Sequence, residues 1–318
     1  MNLSAKVRIS AALVAALGWP SGAVAQEAQA KSPVGGQSEL IHHRPNPNEG
    51  GPHMQWGAAP TVGSTGALSS SNALRNYGGQ IISTPTAYII WYGNWAQGNG
   101  TDTAAGQQIV TDFFNAIGGS PYFNIQKSYP GSGISGNVNY GGSTSVAYPH
   151  GASLTDANIA TIVGEAIGGG HLPNDATGIY FVLTSSDVNE SSGFCTQYCG
   201  WHFWGNINGS NHRYSFVGNA ARCITGCAAQ SIGPNGNAGV DGMISVIAHE
   251  LEEATTDPDG VTWHSRRGSE NGDLCAWTFG TSTLGSNGAY YNMTLGSRNY
   301  LIQRNVKFVG SSQYCRTN

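Results

Sequence analysis

Apolar residues fall into short runs whose period switches between that of a strand and that of a helix. Ala87 to Trp91 (AYIIW) is wholly apolar, which predicts a short strand buried on both faces. From Thr103 to Ile117, residues Ile109, Val110, Phe113, Phe114 and Ile117 share one helical face, and Gly118-Gly119 stops the helix. Ile134 to Tyr140 reads as an alternating strand. A second helix is expected over Thr155 to Ile167, with Ser153 and Asp156 as its capping box and Gly168-Gly169-Gly170 behind it. Ile179 to Leu183 (IYFVL) and Tyr214 to Val217 are further strands. A third helix, Val240 to Thr255, buries Met243, Ile244, Ile247 and Leu251 and ends before Pro258. Beyond Asp259 the chain is turn-rich with short strands. This alternation predicts one α/β or α+β domain: a mixed sheet packed with about three helices.

The first 25 residues read as an export signal. Lys6 and Arg8 precede an apolar stretch from Ile9 to Leu17, and Ala23-Val24-Ala25 forms a cleavage site. Residues 26–75 lack apolar periodicity and are expected to form a flexible leader or propeptide. Its His42, His43 and His53 are read as solvated linker residues. The folded domain is assigned to 76–318. No run is long enough for a membrane anchor, and a monomer is expected.

Charge sharpens this reading. Removal of the signal takes two basic and no acidic residues, leaving 12 Lys+Arg against 18 Asp+Glu, net −6. Such a balance gives no footprint for nucleic acid. Six cysteines in an exported chain imply disulfides, which would staple the domain. The simplest pairing joins neighbours: Cys195–Cys199, Cys223–Cys227 and Cys275–Cys315. A four-cysteine zinc site is the rival, although its usual two-residue spacer is three here.

The chemistry gathers at one place. His249-Glu250-Leu251-Glu252-Glu253 differs by one residue from the zinc-hydrolase signature H-E-x-x-H. On a helix, His249 and Glu253 project from one face about 5–6 Å apart, close enough to share an ion. Glu250, turned away, can still reach a metal-bound water as general base. Seven of the chain's acidic residues lie between His249 and Asp273, and their mutual repulsion calls for a cation or solvent. Glu270 is the expected third ligand, and Asp273 the group that orients His249. His202 and His264 are rival ligands. Asp257 and Asp259 are also candidates, in a Ca2+ loop at Asp257-Pro258-Asp259-Gly260. The bland alternative is a solvated acidic helix end.

Other chemistries leave little trace. No G-x-S-x-G elbow or P-loop is present, and GSGISG at 131–136 leads into a strand rather than a helix. Trp201 and Trp204 in CGWHFW offer sugar-stacking platforms, with core packing as the commoner use.

Several segments together resemble the EXORDIUM family, also called the phosphate-induced protein 1 family. They are IIWYGNW at 89–95, GFCTQYCGWH at 193–202, YSFVGNAARCITGC at 214–227 and PNGNAGVDGMI at 234–244, with Cys275 and Cys315 fitting as well. The resemblance implies a secreted or cell-wall-associated protein without a settled activity. The acidic run AHELEEATTDPDG departs from the apolar stretch expected of plant members, implying a microbial branch with a metal site. Residues 250–273 are also similar to thermolysin-like zinc peptidases. By that analogy His249, Glu253 and Glu270 are ligands, Glu250 the base and Asp273 the orienter. The leading expectation is therefore a secreted, zinc-dependent hydrolase acting on peptides. The alternative is a non-catalytic binder of wall polysaccharide, with structural calcium or no metal.

Overall fold

The computed structural model describes residues 62–318; the signal segment, most of the leader and His42, His43 and His53 lie outside the described residues. A five-stranded sheet organises the chain. Its strands are β1 (Thr86–Tyr92), β2 (Asn139–Val146), β3 (Gly178–Thr184), β4 (Gly200–Ile207) and β5 (Ser210–Gly218). Their spatial order is β2-β1-β3-β5-β4, parallel throughout except for β4, which runs antiparallel along one edge. The fold is thus mixed α/β.

Helices cover both faces of this sheet, which explains the apolar runs. The central strands β1 and β3 have neighbours on both sides and helices above and below, so almost every residue in them is buried. Side chains alternate between two cores. Ile89, Trp91 and Phe181 pack against α1 (Ala104–Ile117) and α3 (Ala238–Thr256). Tyr88, Ile90, Tyr92 and Val182 pack against α2 (Asp156–Gly168).

The capping box of α2 is Thr155 with Asn158, not Ser153 with Asp156, because Ser153 is taken into a two-residue strand with Leu154. The strand expected at Ile134 to Tyr140 also needs correction. It lies at Asn139–Val146, through the Gly-Gly-Ser-Thr-Ser run, which has no apolar alternation. As an edge strand β2 pairs only with β1 and keeps one row of side chains exposed, so it needs no apolar residues. Strand β4 carries the CGWHFW aromatics.

Two of the three expected disulfides are corrected. Cys195 bonds Cys223 and Cys199 bonds Cys227, while Cys275 bonds Cys315 as expected. The crossed pairs lash the segment before β4 to the short helical turns after β5, each closing a sequence separation of 28 residues. The third ties the segment behind the acidic loop to the C-terminal hairpin of β6 (Asn305–Val309) and β7 (Ser312–Arg316). Tyr129, Trp263 and Val306 fill a small core around this last bond, and Leu74 joins them. Arg75–Asn76 pairs with Trp263–His264 just above it.

A non-reduced tryptic map checks the crossed pairing. Cleavage after Arg213 and Arg222 separates the Cys195–Cys199 segment from the Cys223–Cys227 segment, so a single doubly bridged species is expected. Neighbour pairing would instead release two independent peptides. Replacing both Cys199 and Cys227 with alanine is expected to cost about 3 kcal/mol of stability in denaturant unfolding.

Candidate metal centre

Helix α3 begins where the Asn237 side chain accepts from the backbone N–H of Val240 and ends at Asp257, just before Pro258. It is amphipathic in an unusual sense, since nearly every residue is buried and the polar face is buried too. One face, with Met243, Ile244, Ile247 and Leu251, enters the sheet core. The other presents His249, Glu250 and Glu253 to two neighbours: strand β4 and the loop from Glu270 to Asp273.

His249 Nε2 lies 3.0 Å from Glu253 Oε1 and 3.7 Å from Asp273 Oδ1. Behind the ring, Nδ1 sits 2.9 Å from the Gln303 amide, which also donates to the Gly272 carbonyl. Gln303 thus stands behind the ring, while Asp273, expected as the orienter, lies on the Nε2 side with Glu253. Gly272 makes this approach possible: a Cβ there would sit 2.7 Å from the His249 ring.

His202, from β4, faces the same helix. Its Nδ1 is 3.3 Å from Glu250 Oε2 and 3.7 Å from Glu253 Oε2, and its Nε2 is 3.8 Å from Glu270 Oε1. The expected residues are thus brought together in two overlapping sets, His249–Glu253–Asp273 and His202–Glu250–Glu253, each with ligand atoms within 4.8 Å of one another. Glu270 faces His202 rather than His249.

Of the remaining candidates, Asp257 is buried close enough for its charge to act on His202 and Glu270, whereas Asp259 and His264 have other partners. Asp257 Oδ1 accepts the Thr262 N–H, which closes the turn after α3. Asp259 is paired with Arg213 at 2.8 Å, and His264 stacks on Tyr77. Trp201 is buried against Tyr214 and Phe216, and Trp204 stacks on Phe203, so neither stands out as a sugar platform.

The electrostatics are severe. His202, His249, Glu250, Glu252, Glu253, Asp257 and Glu270 are all buried. The arginine–carboxylate pairs among the described residues lie elsewhere, at Arg213–Asp259 and Arg298–Asp112. Glu250 Oε1, Glu253 Oε2 and Glu270 Oε1 are buried without a hydrogen-bond partner, as are both carboxylate oxygens of Glu252. Buried carboxylates left in this state are expensive unless an ion or a proton relieves them.

Without an ion, protons take that part. Burial pushes Glu253 up to about 7, with His249 pulling down and Asp273 pushing up. Burial drives Glu270 well above the usual carboxylate range, and Glu253 adds to it. Burial opposes a charge on His249, yet Glu253 and Glu250 together raise it to about 10. For His202, burial is likewise outweighed by the hydrogen bond and charge of Glu250, and its pKa rises.

The structure thus defines a mixed α/β protein with a buried, helix-borne His–carboxylate cluster at one edge of its sheet, beside a narrow cleft lined by Ser245, Val246, His249, Glu250, Trp277 and Gln303 among others. The chain belongs to the phosphate-induced protein 1 family, whose conserved-region model matches residues 74–308. It is similar to Protein EXORDIUM-like 3 of Arabidopsis thaliana, at 32% identity over 280 residues covering 74% of this chain and 81% of the relative. Protein EXORDIUM-like 5 of the same plant is 30% identical over 276 residues, covering 72% and 74%. No solved structure matches. No helix among the described residues is long and apolar enough to cross a membrane.

His202 is a member of the site that the sequence reading placed only among the rivals, and Gln303 is one it missed. The H in CGWHFW was the available signal for the first; a lone glutamine before a hairpin offers none.

The sign of the pH dependence follows for chelator-treated protein. The folded Glu253 keeps its proton from its ordinary 4.5 up to about 7, so the folded state binds more protons than the unfolded one across that window. The stability this proton contributes is therefore present below about pH 4.5 and lost as pH rises to 7. With saturating Zn2+ the carboxylates are held deprotonated, and the melting temperature should rise over the same window. Thermal melts at pH 5 and 7.5, with EDTA and with Zn2+, check both slopes.

Proposed function

We propose that the protein is a secreted, zinc-dependent hydrolase that acts on peptides. One observation carries the proposal: a largely buried set of histidines and carboxylates, several with unpartnered oxygens, lies at ligand spacing beside a cleft. Histidine nitrogen in the donor set favours zinc over calcium, which takes oxygen. His249 and Glu253 supply the helical ligands, and the 270–273 loop supplies the next, with Asp273 nearer to them than Glu270. The ion would polarise a carbonyl and the attacking water. Glu250 lines the cleft with Oε1 unpartnered, placed to take the proton from that water and return it to the leaving amine. The buried surroundings strengthen each of these charges by excluding solvent. Val246 and Trp277 give the cleft an apolar wall suited to a peptide side chain. Export fits the disulfides, which persist in oxidising compartments. The cell-wall polysaccharide reading loses support because Trp201 is a core residue.

Glu250→Gln is expected to retain the zinc held by His249 and Glu253 while cleavage of a mixed peptide library falls by about 10²–10⁴-fold. His249→Ala should lower bound zinc by about one ion per chain. A Glu250→Gln variant with wild-type turnover, or unchanged zinc after His249→Ala, would overturn the reading.

A further inference from the structure

We infer that the cluster holds two divalent cations, bridged by the Glu253 carboxylate, with His202 as the histidine of a second site. The inference rests on the proposed metal site at His249 and Glu253 and extends it. Three observations carry it.

The first is the direction of the Glu253 carboxylate. Oε1 is 3.0 Å from His249 Nε2, while Oε2 faces His202 Nδ1 at 3.7 Å. One carboxylate thus meets two histidines from different elements with different oxygens. A carboxylate bridging two ions adopts this arrangement, and co-catalytic pairs sit about 3.5–4 Å apart.

The second is that each half is complete without borrowing the other's histidine. The first half is His249, Glu253 and Asp273, and the second is His202, Glu250 and Glu253. Glu270 stands beyond the second half, 3.8 Å from His202 Nε2. There its Oε1 is buried without a hydrogen-bond partner. Glu250 turns Oε2 toward His202 and keeps Oε1 without a hydrogen-bond partner, so a place in the second half leaves one oxygen for the water.

The third is charge. Glu250, Glu253, Glu270 and Asp273 surround the two histidines, and the arginine–carboxylate pairs among the described residues lie elsewhere. One divalent ion would offset only half of these four carboxylates in a buried setting, whereas two would offset them all. Uncompensated buried charge opposes folding, which favours the second ion.

Elemental analysis of protein dialysed against zinc, then against zinc-free buffer, gives the stoichiometry. Wild type should hold two zinc ions per chain. His202→Ala and His249→Ala should each hold one, and Glu253→Ala close to none. Because a substitution in a buried cluster can impair folding, the wild-type chain loaded with Co2+ supplies an independent reading. Two cobalt ions sharing one carboxylate should show magnetic coupling in electron paramagnetic resonance. A wild type that saturates at one zinc, with uncoupled cobalt and unchanged content in His202→Ala, overturns the second site and leaves the first standing. A chain that binds no zinc overturns both.

Discussion

A helix that buries nearly all of its side chains, four of them acidic, is the constraint around which the site is arranged. Helix α3 carries Asp241, Glu250, Glu252 and Glu253 into the interior. Asp241 is satisfied locally, by the Asn235 side chain and by the Asn235 and Asn237 backbone N–H groups. Of the other three, Glu253 accepts the Asp273 backbone N–H through Oε1, Glu250 meets His202, and neither carboxylate oxygen of Glu252 has a hydrogen-bond partner. Dehydrating so many carboxylates opposes folding, and the neighbouring apolar core must hold the helix in place against that cost. Met243, Ile244, Ile247 and Leu251 do this on the opposite face, all with no exposure.

The rest of the fold delivers partners to that helix. Strand β4 is the antiparallel edge of the sheet and is stitched to β5 along eight register pairs, which fixes His202 opposite Ser215 and beneath α3. The crossed disulfides anchor the chain at the start of β4, immediately before His202. On the other side, Cys275–Cys315 holds the end of the acidic loop to the C-terminal hairpin, and Gln303 reaches His249 from just ahead of that hairpin. Three segments far apart in sequence thus meet at one helix face. The small Gly272 permits the final approach.

Family membership and site geometry bear on different questions. The phosphate-induced protein 1 match covers the sheet, the crossed cysteines and the first hairpin strand as far as Phe308, so it accounts for most of the scaffold. The proposed chemistry depends instead on the helix face at His249 to Glu253. One scaffold can therefore support chains with and without such a site.

Much of this was readable from local patterns. Periodicity located β1, β3, α1, α2 and α3, because buried strands and amphipathic helices impose their own spacing on apolar residues. The i, i+4 relation of His249 and Glu253 and the density of acids through Asp273 marked the site, since helical geometry and charge repulsion act over short sequence distances. Strand β2 was misplaced because an edge strand needs only backbone pairing, which glycine and serine supply as well as valine. The disulfide pairing was beyond sequence, as 195–223 and 199–227 follow from how β4 and β5 lie side by side. Likewise His202 across from Glu250, Gln303 behind His249, and Asp273 rather than Glu270 beside it are long-range juxtapositions. Residue spacing determined what the helix offers; only tertiary packing decided what faces it, because contacts across dozens of residues depend on the path of the whole chain.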